Sequence, residues 1–201
     1  LEQSGPTQIA LETDVLPTQN NADAGACLIH VCGRMIEIKH SQLLTRVQTL
    51  QTRFDLNDAH TSMVHALPGQ DSFLWELFWP LLFAGKLVLP VVDERDDPLK
   101  LATTIARHGI THLHFTPTAI TRFVQNGKDF DRSQLATLEW VLCSGGLLRA
   151  ETVDACYRLL ECQLMYLYSP PEIYADVAFY QCRPNQHKSI ICLLYTSDAA
   201  D

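Results

Sequence analysis

Ile110-Thr-His-Leu-His-Phe-Thr-Pro-Thr-Ala-Ile-Thr-Arg-Phe-Val-Gln125 is the stretch that decides the fold class. The chain turns at His108-Gly109 and returns as a strand from Ile110 to Phe115, and a helix follows from Thr118 to Gln125. The same step recurs on both sides. Upstream, Ala26-Cys-Leu-Ile-His-Val-Cys32 ends at Gly33 and reads as a buried strand. A helix comes next, with Ser41 as its cap and Leu43, Leu44, Val47 and Leu50 on one face. A strand signal covers Lys86 to Val92, and Asp97-Pro98 supplies a cap and a first-turn proline for a helix through Leu101, Ile105 and Ala106. Downstream come a strand from Leu138 to Cys143 and a helix from Glu151 to Cys162, with Val153, Cys156, Tyr157 and Leu160 on one face. A strand from Gln163 to Tyr168 closes the series. Buried strands alternating with amphipathic helices predict an α/β fold, a mostly parallel sheet with helices on both faces. Ligands in such sheets bind beyond the carboxyl ends of the strands. That draws attention to the loops Thr116 to Thr118, Ser144 to Leu147 and Ser169 to Ile173.

Composition narrows the function classes. A chain of 201 residues, 47% hydrophobic and 19% charged, can bury one sizeable core, so a globular domain or part of one is expected. The formal net charge of -8 offers no cationic footprint for a phosphate backbone, which argues against nucleic acid as a partner. The most apolar run, Leu74 to Gly85, is too short to cross a bilayer and contains Glu76 and Pro80. No basic start followed by an apolar run opens the chain, and a cytoplasmic location with no membrane partner is the expectation. Seven cysteines without a Cys-x-x-Cys pair read as reduced, mostly buried thiols. His108, His112 and His114 have ligand-like spacing, but no Cys or acidic ligand lies near them in sequence, so no metal site is assigned there.

Asp71-Ser-Phe-Leu-Trp-Glu-Leu-Phe-Trp-Pro-Leu-Leu82 begins with a carboxylate at a helix start, which can pair with an ammonium group, and places an indole one turn later. From spacing alone Trp75, Phe78 and Trp79 are a core stripe. The segment nevertheless resembles Phe-Asp-x-Ser-x-Trp-Glu, the motif that opens the amino-acid pocket in adenylation domains of nonribosomal peptide synthetases, members of the adenylate-forming (AMP-binding) superfamily. Further stretches resemble that family in order and at its spacing. Ile110 to Thr118 matches its strand and Pro-Ser/Thr loop, Leu138 to Gly146 its Cys-Ser/Gly-Gly loop, and Leu167-Tyr-Ser-Pro-Pro-Glu172 its Leu-Tyr-Gly-Pro-Thr-Glu motif.

The resemblance implies part of the large N-terminal domain of an adenylate-forming enzyme over residues 26–190. Residues 1–25 are then a linker or lead-in, and residues 191–201 a non-native tail that resembles sequencing-adapter read-through. It also implies a substrate pocket of Asp71, Ser72, Trp75, His114, Leu142, Ser144, Leu167, Ala175 and Asp176. That set is similar to the lining of serine-activating domains, with His114 and Asp176 available to a side-chain hydroxyl. By themselves His114 reads as a core histidine and Asp176 as a strand-start acid. Nucleotide contacts are implied at Gly33, Gly145, Tyr168, Ser169 and Pro171, and magnesium at Glu172. The implied reaction joins an amino acid to ATP as an aminoacyl-adenylate. A peptidyl carrier domain and the C-terminal adenylation subdomain are the implied partners, and no residue of this chain is assigned a catalytic role.

The sequence departs from the family where phosphate is held. Between the first strand and His40 the chain reads Val31-Cys-Gly-Arg-Met-Ile-Glu-Ile-Lys-His40, keeping only Gly33 of a glycine-rich loop and none of its hydroxyls. Ser169 replaces a glycine, Pro171 a threonine whose hydroxyl would reach the phosphate, and Gln70 an aromatic residue. The family's ribose-binding aspartate, hinge and lysine-bearing small domain have no counterpart before Asp201. An inactive chain is therefore expected. Two other readings compete: a degenerate adenylation remnant kept as a structural or carrier-docking module, and an acyl-CoA ligase, against which Asp71 argues.

Overall fold

The computed structural model describes residues 21–31, 33–170, 173–174, 176, 178–185 and 190–191. β1 (Gly25–Val31) and β2 (Arg34–Lys39) form an antiparallel hairpin in which Val31 is the register partner of Arg34. Gly33 there has φ 79°, a left-handed conformation open to glycine without a Cβ penalty. The expected remnant of an open loop is thus a second strand. Its physical cause is the alternation in Arg-Met-Ile-Glu-Ile-Lys, which turns Ile36 and Ile38 inward and Met35 and Glu37 to solvent.

Helix α1 (His40–Phe54) starts directly from this hairpin. Ser41, expected as its cap, lies inside the helix. The cap position is Lys39, whose backbone N–H donates to Gln42 Oε1 at 2.9 Å. Its buried face is Arg46, Val47, Leu50 and Phe54, while Leu44 is 47% exposed, so the stripe is rotated from the expected one. β3 (Thr61–Met63), α2 (Phe73–Leu82), β4 (Lys86–Val88) and α3 (Val92–Asp96) follow. The expected strand to Val92 stops early because Pro90 has no N–H to give a ladder and Val92 opens a helix.

In α4 (Pro98–His108) the Asp97 side chain accepts from the N–H groups of Leu99 and Lys100, as Asp97-Pro98 predicted. β5 (His112–Phe115) leads into α5 (Pro117–Gln125), capped by Thr116. Two short 3-10 turns, Gly127–Asp129 and Arg132–Leu135, connect to β6 (Trp140–Cys143). β7 (Leu148–Arg149), α6 (Ala150–Leu159), β8 (Gln163–Tyr168), β9 (Ala178–Gln181) and β10 (Ile190–Ile191) complete the order. Ile191, the first residue of the expected tail, pairs with Leu148; residues 192–201 lie outside the described residues.

The main sheet runs β4-β3-β5-β6-β8-β9, parallel at every pairing except β8 with β9. The period of two in a strand sorts its side chains between two cores. Leu113, Phe115, Val141, Cys143, Leu164 and Tyr166 pack under α4, α5 and α6. Leu142, Met165 and Leu167 face the other way, onto Val47, Leu50 and Phe54 of α1 and Trp75 and Trp79 of α2. His112 and His114 share that second face, where the ring of His112 lies edge-on to Trp79 and that of His114 edge-on to Trp75. Burying one large apolar side chain contributes roughly 1.5–3 kcal/mol, so Trp75 and Trp79, each 1% exposed, anchor α2.

Candidate functional site

A cleft of about 670 Å³ opens at the carboxyl ends of β5, β6 and β8. The chain before α2 brings Asp71 and Ser72 to it, and β5 brings His114. The turn after β6 brings Ser144 and Gly145, and the end of β8 brings Leu167, Tyr168 and Ser169. Parallel strands end in line, which is why residues so far apart in sequence meet there. Gly145 has φ 84°, the backbone turn that lets the Ser144 loop fold over the edge. Tyr166 braces that loop by donating its hydroxyl proton to the Gly146 carbonyl at 2.6 Å.

Not every expected residue lines the opening. Trp75 and Leu142 are buried beneath it in the α1 and α2 core. Gly33 sits in the β1–β2 turn and does not line the cleft. Pro171, Glu172 and Ala175 lie outside the described residues. Asp176 is 9% exposed, turns toward α1 and is not among the residues that line the cleft.

What it meets there is Arg46. The Arg46 Nη2 donates to Asp176 Oδ1 and to Ser169 Oγ, both at 3.1 Å, and Nε donates to Asp176 Oδ2 at 3.4 Å. Ser169 also hydrogen-bonds Asp176. The guanidinium carbon is 5.0 Å from the Tyr174 ring centre and 5.6 Å from that of Trp75, within cation–π range. Nη1 is buried and has no hydrogen-bond partner among the described residues; it lies 3.9 Å from Asp71 Oδ2. Asp71 therefore keeps an open side toward the cleft while feeling a fixed cation behind it.

A second string of polar contacts runs under the cleft wall. Glu76, 1% exposed on α2, accepts the backbone N–H groups of His65 and Ala66 on Oε2 at 2.7 and 2.9 Å. Its Oε1 lies 2.7 Å from His114 Nδ1, and His114 Nε2 lies 2.8 Å from Ser144 Oγ. Burial is the largest influence on the Glu76 carboxyl and would raise its pKa. The neighbouring His114 and the hydrogen bonds from His114, Ala66 and His65 together outweigh it and hold the group below the usual carboxylate range. Arg46 and Glu76 were not among the expected site residues. Each stands alone as a charge within an apolar helix face, Arg46 beside Val47 and Leu50, Glu76 between Trp75 and Leu77, and that pattern signals a buried partner.

A parallel sheet whose cleft at the strand ends gathers a carboxylate, an imidazole, a hydroxyl and a glycine turn defines an α/β ligand-binding unit. The AMP-binding enzyme family model matches residues 35–197, and the chain belongs to that family. Among solved structures its fold is similar to that of nonribosomal peptide synthetases and of an adenylation domain. It is 29% identical over 146 residues to enterobactin synthase component F of Escherichia coli (strain K12), covering 72% of this chain and 11% of that protein. The Vibrio cholerae adenylation domain AlmE, solved with glycyl-adenosine-5'-phosphate, superposes with a TM-score of 0.77 at 17% identity, covering 86% of this chain and 33% of that one. The nonribosomal peptide synthetase FmoA3 (S1046A), in its alpha-methyl-L-serine-AMP bound form, gives a TM-score of 0.74 at 19% identity, covering 81% and 19%. The chain thus spans about a tenth of the curated relative's length and a third or less of these solved chains.

Proposed function

We propose that the cleft is the amino-acid pocket of an adenylation domain and takes a small amino acid bearing a side-chain hydroxyl, such as serine. The observation that carries this reading is the meeting of His114 on β5 and Ser144 just beyond β6, at 2.8 Å, in the wall of the cleft that Asp71 enters. Asp71, with 28% of its side chain exposed, would bind the substrate ammonium by a charge-assisted hydrogen bond. Ser144, held by His114, would meet the side-chain hydroxyl, and a site with such a group disfavours an apolar analogue that leaves it unpaired. Asp176 enters this reading through Arg46, which steadies the back of the pocket. The reaction served is attack of the amino-acid carboxylate on the α-phosphorus of ATP, which breaks the α–β anhydride bond and releases pyrophosphate, giving an aminoacyl-adenylate for a peptidyl carrier thiol. Positioning is what these residues supply.

For the nucleotide, Tyr168, Ser169 and Gly145 lie at the cleft and would pack on or bond to it. Glu172, implied for magnesium, lies outside the described residues, and no step is routed through a metal. The C-terminal adenylation subdomain would complete the reaction. One observation favours a second reading, a degenerate domain with a weak grip on ATP. The phosphate-loop position is a paired hairpin, whose ladder amides already have partners.

Titration calorimetry of residues 1–201 with serine, alanine and phenylalanine tests the pocket. Serine is expected to bind tightest, and tighter binding of phenylalanine would refute the reading. The same titration with ATP separates an intact nucleotide site from a degenerate one.

A further inference from the structure

The string from the 65–66 backbone through Glu76 and His114 to Ser144 admits few proton arrangements. Glu76 is ionised and takes two backbone N–H groups on one oxygen, so it has no proton to offer His114. At 2.7 Å, Nδ1 must then be the donor. When the ring is neutral, with its one proton on Nδ1, Nε2 is an acceptor and the Ser144 hydroxyl donates into it at 2.8 Å. The only proton Ser144 owns is thereby spent on His114. Toward the cleft its oxygen presents lone pairs.

We propose that Glu76 is a positioning residue that sets, through His114, the hydrogen-bond polarity of Ser144, so that the cleft offers an acceptor and selects a ligand side chain ending in a donor. The inference rests on the amino-acid reading of the cleft. It separates a hydroxyl from groups of similar size that carry no proton: serine is favoured, 3-fluoroalanine is not. Glu76 itself never touches the ligand, being sealed behind His114 and the edge-on ring of Trp75.

The test is Glu76→Gln. In that variant the amide oxygen stays with the His65 and Ala66 N–H groups, because its NH₂ cannot accept them. The NH₂ then faces Nδ1 and donates to it, driving the ring proton to Nε2 and turning the Ser144 hydroxyl outward as a donor. Ring-nitrogen NMR of His114 in the full chain should show the Nδ1–H form, and the Nε2–H form in Glu76→Gln. Serine binding should fall roughly tenfold in the variant while 3-fluoroalanine binding does not fall with it. Ser144→Ala, which leaves the Glu76 contacts alone, should keep the Nδ1–H form and lose the preference for serine.

A doubly protonated or Nε2–H ring in the unaltered chain would overturn the proposal. So would a Glu76→Gln variant with unchanged tautomer and unchanged preference. Covalent labelling of Ser144 by a fluorophosphonate would overturn it too, since it would make the same three side chains a nucleophile's triad. If the tautomer switches but neither amino acid binds, the positioning role stands and the amino-acid reading of the cleft is what fails.

Discussion

Arg46 on α1 and Asp176, between β8 and β9, meet at 3.1 Å with neither side chain exposed. The pair ties the first helix of the chain to the far end of the sheet. A buried charge pair is costly to break from one side, because the survivor is left unpaired. Arg46→Ala should therefore destabilise the fold by about 3–5 kcal/mol in urea unfolding. Arg46→Lys keeps the charge but not the planar fork or the ring contacts, and should fall between. Arg46→Met combined with Asp176→Leu should recover most of the loss, because the pair's main cost is desolvation.

Acid should weaken the fold through two imidazoles. Burial lowers the pKa of His65 to about 4, against a smaller opposing pull from Glu76; burial and then His60 lower that of His112 to about 4. The unfolded chain takes up these protons near pH 6.5, whereas the folded chain refuses them until about 4. Stability is complete above pH 6.5 and falls as pH drops through that window, by on the order of 3 kcal/mol per ring. Urea midpoints at pH 7.5 and pH 5 measure the slope, and His112→Gln should remove about half of it.

Much of the sheet was legible because β5, β6 and β8 are near-continuous apolar runs followed by turn residues and a helix. β3 was not, since Thr-Ser-Met carries no pattern and is a strand only because β4 and β5 hold it on both sides. β2 carries a legible alternation, Arg-Met-Ile-Glu-Ile-Lys, but it stands where the family's phosphate loop is lost, which points to a loop remnant and not to a strand. In the site, Asp71, Ser72, His114 and Ser144 line one cleft, since strand ends and the α2 motif locate them. Asp176 sits behind it, because a sequence shows which residues a loop carries and not which way a nine-tenths-buried carboxylate turns. Its partner Arg46 is 130 positions away, beyond the reach of any local pattern.

Core position, more than hydrophobicity, should rank the α1 and α2 residues. Trp79 is 1% exposed and donates its indole N–H to Gln51 Oε1 at 2.9 Å. Trp79→Ala should cost about 3–5 kcal/mol. Leu44, read from the sequence as core but 47% exposed, should tolerate alanine within about 0.5 kcal/mol. Thermal unfolding of the two variants side by side checks the order.

The β1–β2 turn predicts the nucleotide behaviour. Replacing residues 32–33 with a glycine-rich loop carrying hydroxyls and a lysine would free backbone N–H groups and add a cation. ATP affinity measured by calorimetry should rise at least tenfold over the unaltered chain. No change would mean that the hairpin is not what limits nucleotide binding.

Tyr168 and Ala178 face each other as register partners on β8 and β9, so the nine residues between them leave and re-enter the sheet at a single rung. A segment anchored this way can be lengthened or rewritten at a closure cost that grows only with the logarithm of its length. It also carries Ser169, Tyr174 and Asp176. The geometry gives evolution, or an engineer, a place to change what lies behind the pocket without renegotiating the strand order that holds it.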